Sequence, residues 1–375
     1  MKSEIKSLYI HVPFCKHLCN YCDFYKNIKN EDDNKQFDDY FDYLESSLNI
    51  HNALNKKMSL NFGKLDTLYF GGGTPSLLKP LGIERLFILL NKFNISFDNK
   101  TEVTLEVNPG TTSLNDLQLF KNLGVNRIST GVQSLNNSYL KKLDRLHDSS
   151  KALEIINDIS SVFANFSVDF MLGLPIIKNE KRDIKNELDQ ILKINPKHIS
   201  LYILTVKNDY VHKKVLPDDK YLEEEYLFVS NYLIKKGFKH YEVSNFSKPG
   251  YESQHNLNYW KSKSVAALGP SATGYFYSQK LRYVWNKKLP KLSEENLNNS
   301  EQKLESFYMR IRSSLGIKYD NYFTGEDKLK FINLVKNWEQ RGLAKYNNEA
   351  MRLNSNGYLV IDSLMDEVFN HTNSI

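Results

Sequence analysis

The sequence has few cysteines and no long apolar run. Its cysteines are Cys15, Cys19 and Cys22, which all lie in one short segment. A disulfide framework would spread cysteines in pairs along the chain, so this crowding favours a reducing cytosol and a bound metal. No apolar stretch approaches the roughly 18 residues needed to cross a bilayer. No signal-peptide pattern precedes the strand-like residues 8–10. We therefore expect a cytoplasmic protein that does not span a membrane.

The charged residues are also not concentrated in any one part of the chain. The 50 basic and 44 acidic residues give a net charge of +6 and are spread along the whole chain. A nucleic-acid-binding protein would be expected to carry a basic tail or a dense Lys/Arg block, and the sequence has neither. With 41% hydrophobic and 25% charged residues, an ordinary globular protein is expected, with no nucleic-acid partner.

Strand-like and helix-like segments alternate over the first two thirds of the chain. The apolar strand-like runs are residues 8–12, 65–70, 103–107, 127–132, 168–172 and 199–204. The segments of helical periodicity include residues 83–93, 114–123, 152–159 and 184–194. This alternation predicts right-handed crossovers and a parallel sheet. Six such units predict an α/β domain over residues 1–285, built either as a full barrel with missing members or as an open, partial one.

The pattern changes after residue 285. Residues 294–300, rich in Asn and Glu, are predicted to be a linker. Helical stretches follow at residues 301–313 and 328–341. Two strand-like runs, 351–353 and 358–360, are joined across residues 354–357. This order predicts a small winged-helix-like α+β domain over residues 286–375.

The three cysteines have the spacing C-x3-C-x2-C. A loop of that length can place three thiolates around one face of an iron–sulfur cubane. Four-iron clusters in electron carriers usually have four cysteine ligands, so three would leave one iron open to another ligand. A zinc site completed by His11 or His17 is the alternative.

This loop resembles that of the radical S-adenosylmethionine (SAM) proteins, in which it follows the first strand. In that family the open iron of a [4Fe-4S] cluster chelates SAM, and reductive cleavage gives a 5′-deoxyadenosyl radical. The flanking residues 9–15 and 22–25 are similar to the group that contains oxygen-independent coproporphyrinogen III oxidase and a haem chaperone branch. The resemblance is strong over residues 5–280 and looser beyond them. It implies a partial (β/α)6 radical SAM barrel with a C-terminal domain of the chaperone type.

Other polar and glycine residues follow the predicted strands. The run Gly71–Gly72–Gly73 would let the backbone approach a ligand closely, although a tight turn alone would also explain it. Glu106 lies inside an apolar run, and Gln133 and Asp169 are placed similarly on the next two strands. A buried carboxylate is costly unless it is paired. Either these residues share one polar ligand at the rim of the sheet, or Glu106 faces solvent at an edge.

The resemblance implies a set of SAM-contacting residues. They are Tyr9, Tyr21, Gly72, Gly73, Thr74, Glu106, Gln133, Arg145 and Asp169. Asp169 suits the ribose hydroxyls, and Arg145 suits the methionine carboxylate. Arg145 falls in a predicted helical segment, residues 140–146, where a solvated face is the alternative. Tyr202 and residues 269–273 are further candidates, beside the adenine.

Two features separate the chaperone branch from the oxidase. The oxidase carries a further cysteine two residues after the third ligand, where this chain has Phe24, and it has a longer segment before the cluster. Residues 255–260 also resemble an H-N-x-x-Y-W motif of the chaperone branch. His255 is therefore a candidate haem ligand, with a core histidine as the alternative, and His212 is a weaker one.

The leading hypothesis is a haem chaperone. It would bind a [4Fe-4S] cluster, exchangeable SAM and haem, and would pass haem to an acceptor such as a membrane respiratory enzyme. We expect a monomer or a weak dimer. The first alternative is an active coproporphyrinogen III oxidase, which removes carboxyl groups from two propionates. The second is a zinc-stabilised binding module without radical chemistry.

Overall fold

The computed structural model describes residues 3–29 and 34–372. The chain folds into two compact units. Unit 1 contains the chain up to Asp218 together with Ser264–Glu295, and unit 2 contains Asp219–Lys263 and the chain from Asn296 onwards. Each unit therefore takes two segments of the chain. This differs from the single boundary after residue 285 that the sequence suggested, because residues 219–263 group with the C-terminal part.

A parallel sheet of seven core strands forms the centre of unit 1. In chain order they are Ser3–Val12, Leu60–Gly72, Glu102–Val107, Arg127–Gln133, Phe166–Leu172, His198–Ile203 and Ala266–Leu268. In the sheet the seventh strand pairs with the first, and the first six then follow in chain order. The first six strands confirm the prediction from the apolar runs. The seventh was not predicted, since its three small apolar residues give no distinct pattern.

The core strands are apolar because the sheet is buried on both faces. Leu8, Leu68, Leu105, Ile128 and Val168 are all inaccessible to solvent. Parallel sheets are normally covered in this way, which explains the continuous apolar runs in the sequence. Parallel strands also bring their carboxyl ends to one edge of a sheet, where ligands bind in such folds.

Helices alternate with the core strands of unit 1. They are Asn34–Lys57, Lys79–Lys92, Leu114–Leu123, Asn137–Lys142, Ser149–Val162 and Ile184–Lys193. Helix Leu114–Leu123 shows how local residues set where a helix begins and ends. Ser113 and Asp116 form a capping box at its start, and Gly124 ends it in the left-handed conformation.

The helix near Arg145 is shorter than predicted. It ends at Lys142, and Asp144 adopts a positive φ of 56°. Arg145 therefore lies in the following loop, and the helical assignment of residues 140–146 was correct for 140–142 and wrong beyond them. A single left-handed aspartate carries no clear sequence signal, since few non-glycine residues adopt this conformation.

The predicted linker at residues 294–300 was also wrong. Thr273–Phe276, Leu281–Trp285 and Leu292–Asn296 form a three-stranded sheet, and a helix starts at Asn299. Most side chains of the third strand are exposed and polar, so its sequence lacks the apolar pattern of a strand and resembles a linker. Asn298 caps the helix, with Glu301 completing a capping box.

Unit 2 is mostly helical. Its helices are Asp219–Lys235, Gln254–Trp260, Asn299–Ile311, Gly325–Gln340, Ser355–Leu359 and Ile361–His371. Lys239–Glu242 pairs with Asn245–Ser247 in an antiparallel ribbon. Ile317–Lys318, Ala350–Leu353 and Ala344–Tyr346 form a small antiparallel sheet. The apolar core of unit 2 includes Phe307, Phe331 and Trp338.

The predicted strand at residues 358–360 was wrong. Tyr358 lies in helix Ser355–Leu359, which starts because the Asn354 side chain accepts hydrogen bonds from the backbone of Asn356 and Gly357. The strand Ala350–Leu353 is present, but its hairpin partner is Ala344–Tyr346. The winged-helix comparison for residues 286–375 stays a prediction. No helix within residues 3–29 and 34–372 has the length and apolarity to cross a membrane.

Candidate functional site

The cysteine segment is a closed loop after the first core strand. Phe14–Cys15 pairs in parallel with Asn27–Ile28, and the Lys29 amide donates to the Cys15 carbonyl at 2.9 Å. Within the loop the Cys22 amide donates to the Cys19 carbonyl at 3.3 Å. All three thiols are free, and all three residues line one cavity of about 400 Å³. The loop therefore brings the three cysteines to one wall of a cavity, and their role as cluster ligands stays a prediction.

The glycine turn after the second core strand packs directly against this loop. The Gly73 amide donates to the Val12 carbonyl at 2.8 Å, and the Thr74 amide donates to the Phe14 carbonyl at 2.7 Å. A Cβ atom on Gly73 would lie 2.6 Å from the Phe14 carbonyl oxygen and 3.1 Å from Cys15 Sγ. Only glycine fits this approach. The run of glycines is therefore more than a turn, because it brings backbone to the cysteine wall.

Arg145 connects the cysteine loop to the strand ends. Its Nη1 lies 3.9 Å from Cys19 Sγ and 3.4 Å from the Tyr21 hydroxyl. Its Nη2 donates to the Gly131 carbonyl at 2.6 Å and to Asn108 Oδ1 at 3.1 Å. Within the described residues its buried Nε has no partner. The solvated-face alternative is thus excluded, and a fixed guanidinium lines the cavity.

Asn108 is the site residue that sequence reasoning missed. Besides accepting from Arg145, its Nδ2 donates to Thr74 Oγ1 at 2.7 Å, and Thr74 Oγ1 in turn lies 3.8 Å from Cys15 Sγ. Asn108 follows the third core strand directly. Its place at a strand end was the signal that could have found it, since ligand-facing loops follow the carboxyl ends of parallel strands.

The electrostatics of the cavity are those of a site for bound anions or thiolates. Burial raises the pKa of the Cys15 and Cys19 thiols, although neighbouring Arg145 lowers that of Cys19 in part. Burial raises the pKa of Tyr21 to about 12, so its hydroxyl keeps its proton. Metal ligation requires deprotonated cysteine, so a bound metal would supply the charge that stabilises these thiolates. Lys16, Lys26 and Lys151 also line the cavity.

Glu106 reaches the glycine turn from the third core strand. Its Oε2 accepts from the Gly72 amide at 3.1 Å, and its Oε1 accepts from the Tyr69 hydroxyl at 2.9 Å. Burial raises the pKa of Glu106 to about 7. Gly72 needs its positive φ of 115° here, and a Cβ on it would strike the His11 ring. The solvent-facing edge alternative for Glu106 is therefore excluded.

Four predicted SAM-contacting residues are not part of the cavity lining: Tyr9, Glu106, Gln133 and Asp169. Ser129 and Ser167 donate to Asp169, and burial raises the pKa of its carboxyl. Gln133 ends its strand at a positive φ of 71°, with a buried Oε1 that has no partner among the described residues. The sequence suggested one rim of the sheet at which these polar side chains share a ligand. In the structure Glu106 lies at the glycine turn, whereas Asp169 lies between strands.

The histidines near the loop do not complete a zinc site. Both ring nitrogens of His11 have partners, the Tyr9 hydroxyl at 3.2 Å and the Tyr25 carbonyl at 2.8 Å. His17 Nε2 lies 2.7 Å from Asp144 Oδ2. In the part of the chain that the structure describes, no three His, Cys, Asp or Glu side chains converge on one ion position. A cubane holds each thiolate on a different iron, so the donor set and the Gly73 approach fit a three-cysteine cluster.

The remaining candidates are not among the residues that line the cavity. His255 is only 2% exposed, and its Nε2 lies 3.4 Å from the Tyr259 hydroxyl in helix Gln254–Trp260. This buried position agrees with the core histidine that the sequence left as an alternative, and the role of His255 as a haem ligand stays a prediction. Tyr202 is exposed at the end of the sixth core strand. Gly269 has a φ of 97° and packs against the His11 carbonyl.

Comparison with known proteins identifies the class. The model of the radical SAM superfamily matches residues 9–188. The haem chaperone HemW of Lactococcus lactis is 30% identical over 369 residues, which cover 91% of this chain and 93% of that protein. HemW of Buchnera aphidicola is 36% identical over 274 residues, covering 72% of this chain and 69% of the relative. The chain belongs to the radical SAM superfamily.

The particular group within the superfamily follows from the same relatives. The solved structure of Escherichia coli coproporphyrinogen III oxidase (HemN) matches with a TM-score of 0.80 and 20% identity, over 98% of this chain and 90% of that one. This match confirms the α/β radical SAM fold. The HemW relatives place the chain close to HemW within the superfamily.

Proposed function

We propose that this protein is a haem chaperone that carries a [4Fe-4S] cluster and exchangeable SAM. The observation that carries the proposal is the three-thiol wall of the cavity, in a loop that has Phe24 at the position of the oxidase pattern's fourth cysteine. Phe24 is 69% exposed, so the loop presents an apolar ring where the oxidase pattern has sulfur. The HemW relatives, which match over most of the chain, support the same function.

The residues that would hold the cofactors follow from the contacts above. Cys15, Cys19 and Cys22 would ligate the cluster, which supplies an open iron and one-electron chemistry when bound. Arg145 would bind the methionine carboxylate of SAM, and the backbone of Gly72 and Gly73 would approach its amino group. Tyr9, Tyr21, Thr74, Glu106, Gln133 and Asp169 would complete the contacts, Asp169 toward the ribose.

Haem would be the cargo, and its acceptor would be another protein, such as a membrane respiratory enzyme. We expect the protein to transfer haem in the cytoplasm, as a monomer or a weak dimer. The free thiols agree with a reducing compartment. The oxidase alternative uses the same fold and the same cluster, so activity must separate the two.

Two assays on one anaerobic, reconstituted sample test the proposal. Titration with haemin should give a saturable shift of the Soret band with about one haem per chain. Incubation with coproporphyrinogen III, SAM and a reductant should leave the substrate unchanged. Decarboxylation of coproporphyrinogen III with consumption of SAM would contradict the chaperone and support the oxidase.

A further inference from the structure

A buried ion pair joins the segment after the fifth core strand of unit 1 to the helix that follows it. Arg182 Nε lies 2.8 Å from Glu187 Oε1, and the two side chains are only 1% and 5% exposed. Neither residue lines the cavity. Burying two charges is costly unless further hydrogen bonds satisfy them. The other partners of this pair therefore indicate what it does.

The second carboxylate oxygen of Glu187 accepts two hydrogen bonds from the turn after the fourth core strand. Ser134 Oγ donates to Glu187 Oε2 at 2.5 Å, and the Leu135 amide donates to the same oxygen at 2.6 Å. Ser134 and Glu187 are both buried, so losing the carboxylate would leave buried donors without an acceptor. Glu187 therefore fixes the backbone at the residues directly after Gln133.

Arg182 connects the same turn to the neighbouring strand and helix. Its Nη1 donates to the carbonyl of Met171 on the fifth core strand at 2.8 Å. Its guanidinium carbon lies 5.1 Å from the ring centroid of Phe170 and 5.6 Å from that of Tyr139, which are cation–π distances. Tyr139 belongs to the short helix that follows the turn. The ion pair thus links three segments of unit 1.

The turn in its own right sets the start of helix Asn137–Lys142. The Asn136 amide donates to Ser134 Oγ at 3.0 Å, and the Asn136 side chain caps the helix by accepting from the Ser138 amide at 2.8 Å. The helix leads within three residues to Arg145. A shift of Ser134 would therefore be transmitted through the helix to Arg145.

Two residues that we expect to contact SAM flank this segment. Gln133 precedes it with a positive φ of 71°, and the strand pairing shifts its register between Gly131 and Gln133. A non-glycine residue keeps this sparsely populated conformation only where its surroundings hold it there. Arg145 follows the segment. The places of both side chains therefore depend on contacts that Glu187 makes.

We propose that Arg182 and Glu187 are positioning residues for SAM binding, in which the Glu187 carboxylate, held by Arg182, sets the places of Gln133 and Arg145. Neither residue of the pair would touch SAM itself. This inference rests on the proposed function, which includes SAM, and it assigns a role to two residues that sequence reasoning did not single out. The pair should affect the affinity for SAM and not the uptake of the cluster, because it makes no contact with the three cysteines.

Two double variants of the full-length protein test this role, because a single substitution would leave one buried charge without its partner. Arg182→Met with Glu187→Leu removes both charges and the acceptor for Ser134 and Leu135. Arg182→Met with Glu187→Gln removes both charges and keeps an amide oxygen as acceptor. Equilibrium dialysis of the anaerobically reconstituted proteins measures their affinity for SAM. The affinity should fall roughly tenfold or more in the Leu variant and only severalfold in the Gln variant.

Asp189→Asn is the matched control on the same helix. It neutralises one side of an exposed ion pair, in which Lys185 Nζ lies 2.7 Å from Asp189 Oδ2, and it should leave the affinity for SAM unchanged. Hydrogen exchange of amides 134–142 in the cluster-free protein gives a second readout. Exchange should be fastest in the Leu variant, slower in the Gln variant and unchanged in Asp189→Asn. Iron and sulfide content after reconstitution should be the same in all of these proteins.

The outcomes separate this inference from the proposed function. If the wild type binds SAM and either double variant binds it with wild-type affinity, the positioning role is wrong while the proposed function stands. The role is also wrong if the Leu variant loses its cluster along with SAM, since the pair would then support the fold in general. If the wild type takes up the cluster and binds no SAM, the proposed function fails first and this inference fails with it.

Discussion

The two units use their buried polar groups in different ways. In unit 1, Cys15, Asn108 and Arg145 meet at the ends of strands and line a cavity. In unit 2, the ring of His240 stacks on Phe246 at 4.0 Å and bonds to Ser355 Oγ at 2.8 Å, with Tyr358 packed against its edge. The first arrangement leaves room for a ligand, whereas the second packs aromatic side chains against the imidazole ring. The difference teaches that a polar residue in an apolar sequence identifies a site only when space lies beside it.

The largest effect that this comparison predicts is at Gly73. In Gly73→Ala the new methyl group would overlap the Phe14 carbonyl and press on Cys15 Sγ. We expect the turn to move away from the cysteine loop, with loss of most of the iron and sulfide that the wild type takes up in anaerobic reconstitution. Iron and sulfide analysis of the purified protein measures this.

Gly110→Ala is the matched control for that variant. Gly110 lines the same cavity, and a Cβ on it would meet no atom within 4 Å, although its φ is 80°. It should lose about 1 kcal/mol of stability through backbone strain and still take up the cluster. Equal cluster loss in both variants would mean that strain at the cavity, and not the close approach of Gly73, explains the result.

An intermediate effect is expected at His240 in unit 2. His240→Ala removes an aromatic stack and the bond to Ser355. The free energy of unfolding should fall by about 2–3 kcal/mol, the usual range for a truncated and hydrogen-bonded core side chain. Denaturant unfolding measures it. Uptake of the cluster and of haemin by the folded variant should stay unchanged, and a selective loss of either would break the distinction between the two units.

The smallest effect is a pH dependence at Glu106. Because its folded pKa is raised to about 7, the folded protein holds this proton more tightly than the unfolded chain does. The resulting stability is fully present below about pH 4.5 and is lost as the pH rises through 7. Relative to Glu106→Gln, the wild type should lose about 1–2 kcal/mol over this interval, since partial exposure reduces the effect. Parallel stability curves from denaturant unfolding at several pH values would contradict this.

The sequence predicted the core sheet because burial on both faces requires continuous apolar strands. It indicated that the three cysteines lie close together, because they fall in one short loop, and all three line one cavity. Their role as cluster ligands stays a prediction. It did not predict the loop position of Arg145, which depends on the left-handed conformation of Asp144. It also missed strand Leu292–Asn296, whose exposed side chains carry no apolar pattern.

The grouping of residues 219–263 with the C-terminal part could not be seen from local patterns, because tertiary packing decides it. The same holds for the burial of His255, which the sequence could not distinguish from exposure at a ligand site.

The central claim is that Cys15, Cys19 and Cys22 together hold one [4Fe-4S] cluster. The most direct measurement is anaerobic reconstitution with iron and sulfide of the wild type and of three single variants, Cys15→Ala, Cys19→Ala and Cys22→Ala. The wild type should gain a broad absorbance at the violet edge of the visible spectrum and about four irons per chain. Each variant should lose both while remaining folded by circular dichroism. A variant that keeps the absorbance and the iron content of the wild type would contradict the account.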